Sequence, residues 1–70
     1  MERANETLSL LRRRDVERRT GLSRSGIYKL MAEGHFPRCV RITESAVGWV
    51  EGEIAEWIAE RVRDSRAVTQ

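Results

Sequence analysis

Between Thr20 and Arg24 stand only three residues, Gly21, Leu22 and Ser23, and they hold a stop and a start signal for a helix. Gly21 ends a helix and Ser23 is a good N-cap for the next. Leu22 lies five positions before Ile27, the spacing of a hydrophobic staple that fixes the angle at which the chain enters a helix. A chain that stops one helix and begins another within three residues is committed to a sharp corner, of the length found in a helix-turn-helix. Upstream, Val16 and Thr20 mark an inward face and predict a helix over 13–20, preceded by an apolar stretch at Leu8, Leu10 and Leu11. Downstream, Ile27, Leu30 and Met31 form a stripe at i, i+3, i+4, and Gly34 followed by Pro37 supplies a stop, predicting a helix over 24–33.

From Phe36 the period changes to two. Val40 and Ile42 alternate with Cys39, Arg41 and Thr43, and Val47 and Trp49 alternate with Ala46 and Gly48, so two short strands meet at a bend of Thr43, Glu44 and Ser45. The last element carries Val50, Ile54, Trp57, Ile58 and Val62 at helical spacing. Glu53 and Glu56 near its start and Arg61 and Arg63 near its end match the helix macrodipole. The expected fold is therefore mainly α with a small β-hairpin: helix, turn, helix, two-stranded wing, helix, a winged helix-turn-helix. Residues 1–6 read as a disordered N-terminal arm, 7–62 as the domain, and 63–70 as a frayed C-terminal tail. The spacing of Phe36, Trp49 and Trp57 with Val47, Ile54 and Ile58 makes the aromatics core rather than a stacking platform for single strands.

Seventy residues hold one core and leave no room for separate binding and catalytic halves. One histidine and one cysteine, with no glycine-rich phosphate loop, supply few combinations of base, nucleophile or ligand, so the chain reads as no enzyme and as needing no cofactor. His35 and Cys39 are two potential zinc ligands where a site needs four. The longest run without charge is the six residues Ser45–Val50, far below the ~20 that cross a bilayer, so no membrane partner is expected. A lone Cys39 suits a reducing cytoplasm.

The net charge of +2 is uninformative, but its distribution is not. Residues 1–45 hold ten basic and six acidic side chains, and residues 46–70 three and five. On the second helix Ser25, Tyr28 and Lys29 lie opposite the apolar stripe, with Arg24 at the flank near the N-terminus. Free N–H groups at a helix N-terminus suit phosphate, and the Arg24 guanidinium fits a phosphate or the O6/N7 edge of guanine. Tyr28 suits a phosphate oxygen or a sugar. Arg38 and Arg41 flank the first strand, where a wing would touch a neighbouring groove. Arg41 points opposite to Val40 and Ile42, so it should be exposed. Arg12, Arg13, Arg14, Arg18 and Arg19 form a second basic block, of which one or two would reach flanking phosphates. Each of these groups also has the ordinary make-up of a solvated surface. Gly26 either allows a DNA backbone to approach or has no role. Glu53, Glu56, Glu60 and Asp64 line one side of the last helix; phosphate would repel them, so that side is solvent surface or a contact for a basic partner protein.

The segments TGLSRSGIYKLMAEGHFP and AVGWVEGEIAEWIAERV resemble the AlpA family of small phage-type regulators, from about Leu10 to Val62. The resemblance implies a MerR-like, excisionase-related winged helix-turn-helix that binds duplex DNA, regulating prophage genes such as integrase or acting as a recombination directionality factor. By position it places Ser23, Arg24, Ser25, Tyr28 and Lys29 on the recognition helix and Arg38 to Ser45 on the first wing strand and tip. Two positions depart from the family: Ser45 preceded by Glu44 where a wing-tip arginine is usual, and Arg13 where an apolar residue is usual. The residues expected on DNA are thus Ser23, Arg24, Ser25, Tyr28, Lys29, Arg38, Arg41 and Arg14. The partners expected are double-stranded DNA and an integrase, RNA polymerase or another regulator, with a monomer in solution that cooperates on repeated sites. The rival expectation is a protein-interaction module docking through the acidic last helix.

Overall fold

The corner at Gly21 is held by its own hydrogen bonds. In the computed structural model, which describes residues 8–68, helix α1 (Arg13–Thr20) ends at Gly21, whose φ of 79° lies in the left-handed region where a Cβ is costly. Its N–H donates to Glu17 O at 2.8 Å. The Thr20 hydroxyl donates to Val16 O at 2.8 Å and accepts from the Leu22 N–H at 3.2 Å, so one side chain ties the end of α1 to the turn. Ser23 caps helix α2 (Arg24–Ala32) by accepting the Gly26 N–H at 3.1 Å, and Leu22 packs against the core as the staple requires. At the far end, the His35 N–H reaches Leu30 O at 2.8 Å and the Gly34 N–H reaches Met31 O at 3.1 Å, a Schellman motif that satisfies two terminal carbonyls. The helix that the sequence predicts over 24–33 stops one residue earlier, with Glu33 as its C-cap.

Three strands follow the antiparallel order β1-β3-β2: β1 is Leu10–Leu11, β2 is Val40–Thr43 and β3 is Ala46–Val50. The expected two-stranded wing is therefore the outer part of a three-stranded sheet, with the apolar stretch before α1 pairing as Leu10↔Val50 and Leu11↔Trp49. Helix α3 (Glu51–Val68) begins directly after β3, and its first N–H donates to Ser9 O at 2.7 Å. It runs through Val68, so the 63–68 part of the expected frayed tail is helical. The expected arm at 1–6 lies outside the described residues, as do 69–70. Glu44 and Ser45 form the hairpin bend with no positive φ, so the turn types that match strand twist without adjustment are excluded. The pairing adjusts instead: its register slips between Arg41 and Thr43.

Register also decides which side of the sheet is core. Leu11 opposes Trp49 and Arg41 opposes Val47, so these four share the inner face; Leu10, Val50, Gly48 and Val40 share the outer one. The buried set is Leu11, Val16, Ile27, Phe36, Trp49 and Ile54, joined by half-buried Leu22, Leu30, Met31, Cys39, Trp57 and Ile58. Every β2 residue is exposed, which corrects the expectation that Val40 and Ile42 mark the inward side of their strand. Arg41 does point away from them and is exposed, but toward the side that carries the core. Val47 and Val62, expected in the core, are also exposed. Gly48 is buried because Ile42 folds over it.

Candidate nucleic-acid interface

Helix α2 buries Ile27 completely and turns Arg24, Ser25, Tyr28 and Lys29 outward, all four exposed. Tyr28 is held at its base. Its ring stands edge-on to Trp49, with centroids 6.3 Å apart, and the Arg24 guanidinium lies 5.9 Å from its centre. Arginine and tyrosine thus share one patch at the N-terminal end of the helix, with the ring limiting where the guanidinium rests. The Ser23 hydroxyl accepts from the Gly26 N–H and lies 3.4 Å from Ser25 Oγ, leaving it a proton to donate. Gly26 has a structural account that the sequence did not show: a Cβ there would stand 3.3 Å from Ser23 Oγ, pressing on the cap.

The arginines of α1 and its N-cap, Arg12, divide into two groups. Arg13 pairs with Glu17, Arg18 with Asp15, and Arg19 reaches Glu51 at the start of α3 at 2.9 Å. Arg12 and Arg14 are exposed and make no ion pair among the described residues. They line a groove of about 400 Å³ with Arg13, Tyr28 and residues 45–47, between the start of α1, the outward face of α2 and the wing. Arg41 lies across the strand pair from Val47, which lines this groove, and on the same side of the sheet. One basic surface therefore runs from the start of α2 across the groove toward the wing, with the bend residue Ser45 in the groove lining and its neighbour Glu44 exposed. Arg38 is not part of it. It precedes β2 instead of lying on the first wing strand, and it lines a second groove against α3.

The segment from Gly34 to Cys39, which joins α2 to the wing, is pinned by both tryptophans. Trp57 donates its indole N–H to His35 O at 2.8 Å, and Trp49 donates to Pro37 O at 3.2 Å. Phe36 packs edge-on against Trp57 at 4.9 Å between centroids. Both indoles are engaged in the fold, as their spacing implied, and Arg61 covers the Trp57 ring at 5.1 Å. Among the described residues no three of His, Cys, Asp and Glu gather where a metal ion could be held. Glu53, Glu56 and Asp64 are exposed and Glu60 is half-buried, with Glu53, Glu56 and Glu60 lining the groove that holds Arg38.

Comparison with known proteins adds a family to this geometry. The family described as prophage CP4-57 regulatory protein (AlpA) matches residues 9–62, a stretch that holds the whole sheet, α1, α2 and most of α3. An uncharacterized protein of Enterobacteria phage P4, ORF88, is 40% identical over 52 residues, which is 74% of this chain. The chain spans 59% of the length of that relative. No helix among the described residues is long and apolar enough to cross a membrane.

Proposed function

Because this chain belongs to the AlpA family of prophage regulatory proteins, we propose that it regulates by binding duplex DNA in a sequence-specific way. Helix α2 lies in the major groove and the β2–β3 hairpin stands beside it. Arg24, Ser25 and Lys29 read base edges, while Ser23, Tyr28, Arg14 and Arg41 fix the register on phosphates. Arg12, absent from the sequence-based site, joins the phosphate set because it is exposed, makes no ion pair among the described residues and lines the same groove as Arg14 and Tyr28. Arg38 leaves the set because it faces the other groove. The targets are prophage or mobile-element genes, such as that of an integrase, in the cytoplasm of a bacterial host, and no chemistry is performed.

The observation that carries this reading is the continuity of the basic surface. The outward face of α2 and the groove of Arg12, Arg14 and Tyr28 adjoin each other, while Glu53, Glu56 and Glu60 of α3 line a different groove. Phosphate is attracted to one and repelled by the other. So small a module makes few contacts, so tight binding uses several copies on repeated sites. Selection of bound sequences from random duplexes, followed by titration of the recovered site at two salt concentrations, tests the proposal. A defined site whose affinity falls steeply with salt is expected; an affinity indifferent to salt, or no enriched sequence, overturns it.

A further inference from the structure

The outer face of the sheet leaves apolar surface open. Leu10 is 42% exposed and Val40 and Ile42 are each 39% exposed, all clear of the core. Next to them, between α3 and residues 34–40, runs an open groove of about 1150 Å³. Leu8, Val40, Val50 and Trp57 supply its apolar lining, and Glu53, Glu56 and Glu60 supply its carboxylates. None of the three carboxylates makes an ion pair among the described residues. The nearby cation Arg61 is already engaged, over the Trp57 ring and with Asp64 at 3.4 Å. Arg38 is the other arginine of the lining.

We propose that this groove docks a basic, amphipathic helical segment of a partner protein. A groove that combines apolar side chains with three unpaired carboxylates fits a helix that lays leucine-like side chains inward and holds lysine or arginine at its rim. Glu53, Glu56 and Glu60 recur at i, i+3 and i+7, about one helical turn of 5.4 Å apart, the repeat at which a helix lying alongside presents its own side chains. A second copy of this chain is the weaker occupant, since its unpaired basic side chains on α1 and α2 are those proposed for DNA. The inference rests on the DNA proposal for that choice alone.

The test uses the full chain, isotopically labelled, without DNA. The probe is a synthetic amphipathic peptide of roughly four helical turns, with leucines on one face flanked by lysines and arginines; its twin carries glutamate at every basic position. Anisotropy of the labelled peptide and amide shifts of the protein are read together. The basic peptide is expected to bind and to move signals of residues 34–40, 50–60 and the Trp57 indole, while the acidic twin does not bind. The double substitution Glu53→Lys and Glu56→Lys weakens binding about tenfold or more and leaves the α2 signals in place. Equal binding of both peptides, shifts confined to other surfaces, or an affinity unchanged by the substitutions overturns the proposal. So does self-association of the chain that the substitutions abolish, since it gives the groove to a second copy. Because DNA is absent throughout, failure of the peptide test is separable from failure of the DNA reading.

Discussion

Replacing Gly48 by alanine tests how tightly the sheet is packed on its outer side. A Cβ at this position would stand 2.8 Å from Ile42 Cδ1 and 3.0 Å from Leu11 O. The first lies well inside the roughly 3.5–4.0 Å at which nonbonded carbons rest, and the second is also tighter than an ordinary van der Waals contact. Ile42 is 39% exposed and its contact is the far end of a flexible side chain, which can swing aside. The Leu11 carbonyl cannot, because Leu11 belongs to β1 and is held in register opposite Trp49 of β3. Overpacking costs about 1–3 kcal/mol, and exchanging glycine for alanine returns about 0.4–1 kcal/mol by restricting the unfolded chain. The net expectation is a loss of about 0–2.6 kcal/mol, centred on about 1.3, and each kcal/mol lowers Tm by roughly 4–8 °C in a domain of this size. Thermal and urea denaturation followed by circular dichroism measure it. In an Ile42→Ala background the cost of Gly48→Ala should shrink by about 0.5 kcal/mol or more, because one of the two contacts is gone. A Gly48→Ala protein that melts at or above the wild-type temperature refutes the argument.

Ser23→Ala removes the acceptor of the Gly26 N–H and should cost about 1 kcal/mol in a thermal melt. Ser23→Asp should keep that stability but weaken duplex binding by placing a negative charge at the end of α2 proposed to face phosphate, so stability and affinity separate. Gly21→Ala forces a Cβ into the left-handed region and should cost about 1–3 kcal/mol, with Gly21→Asn less affected. Arg24→Ala should relax specificity at one position by about 1–3 kcal/mol in competition titrations, whereas Arg14→Ala should lower affinity evenly across sequences and reduce the salt slope by about one unit. Arg18→Ala, which removes the partner of Asp15, should leave that slope unchanged.

What the sequence shows of this fold follows from how local each signal is. The corner at residues 20–24 was legible because Gly21, Leu22 and Ser23 act on backbone within a few positions of themselves. β1 was not, since two residues are too few to display a period and Leu10 and Leu11 become a strand only by pairing with β3. Alternation in 39–43 gave the parity of β2, placing Arg41 opposite Val40 and Ile42, but parity does not say which side is core. The core lies on the Arg41 side, while Gly48 on the other side makes room for Ile42. Past Val62, the run Arg63, Asp64, Ser65, Arg66 has no apolar spacing, so nothing local announced that α3 continues. The outward face of α2 could be read from helical periodicity alone. The separation of Arg38 from Arg41 could not, because it depends on where the chain enters β2. The division of the α1 arginines was partly legible: the Arg13–Glu17 and Arg18–Asp15 pairs are local, but Arg19–Glu51 spans the domain.

The two indole bonds to residues 35 and 37 have a consequence for how the proposed docking would read a duplex. They brace the connection between α2 and the hairpin at two of its carbonyls, so the two arms are held like the jaws of a set caliper. Under the proposed docking, the gap between helix and wing is a fixed length that the nucleic acid has to meet. Adaptation then falls on the DNA, through groove width and bend, and its cost depends on the stiffness of base pairs that no side chain touches. Discrimination among sites would then come partly from steps lying between the contacted ones, where flexible pyrimidine–purine pairs yield most readily.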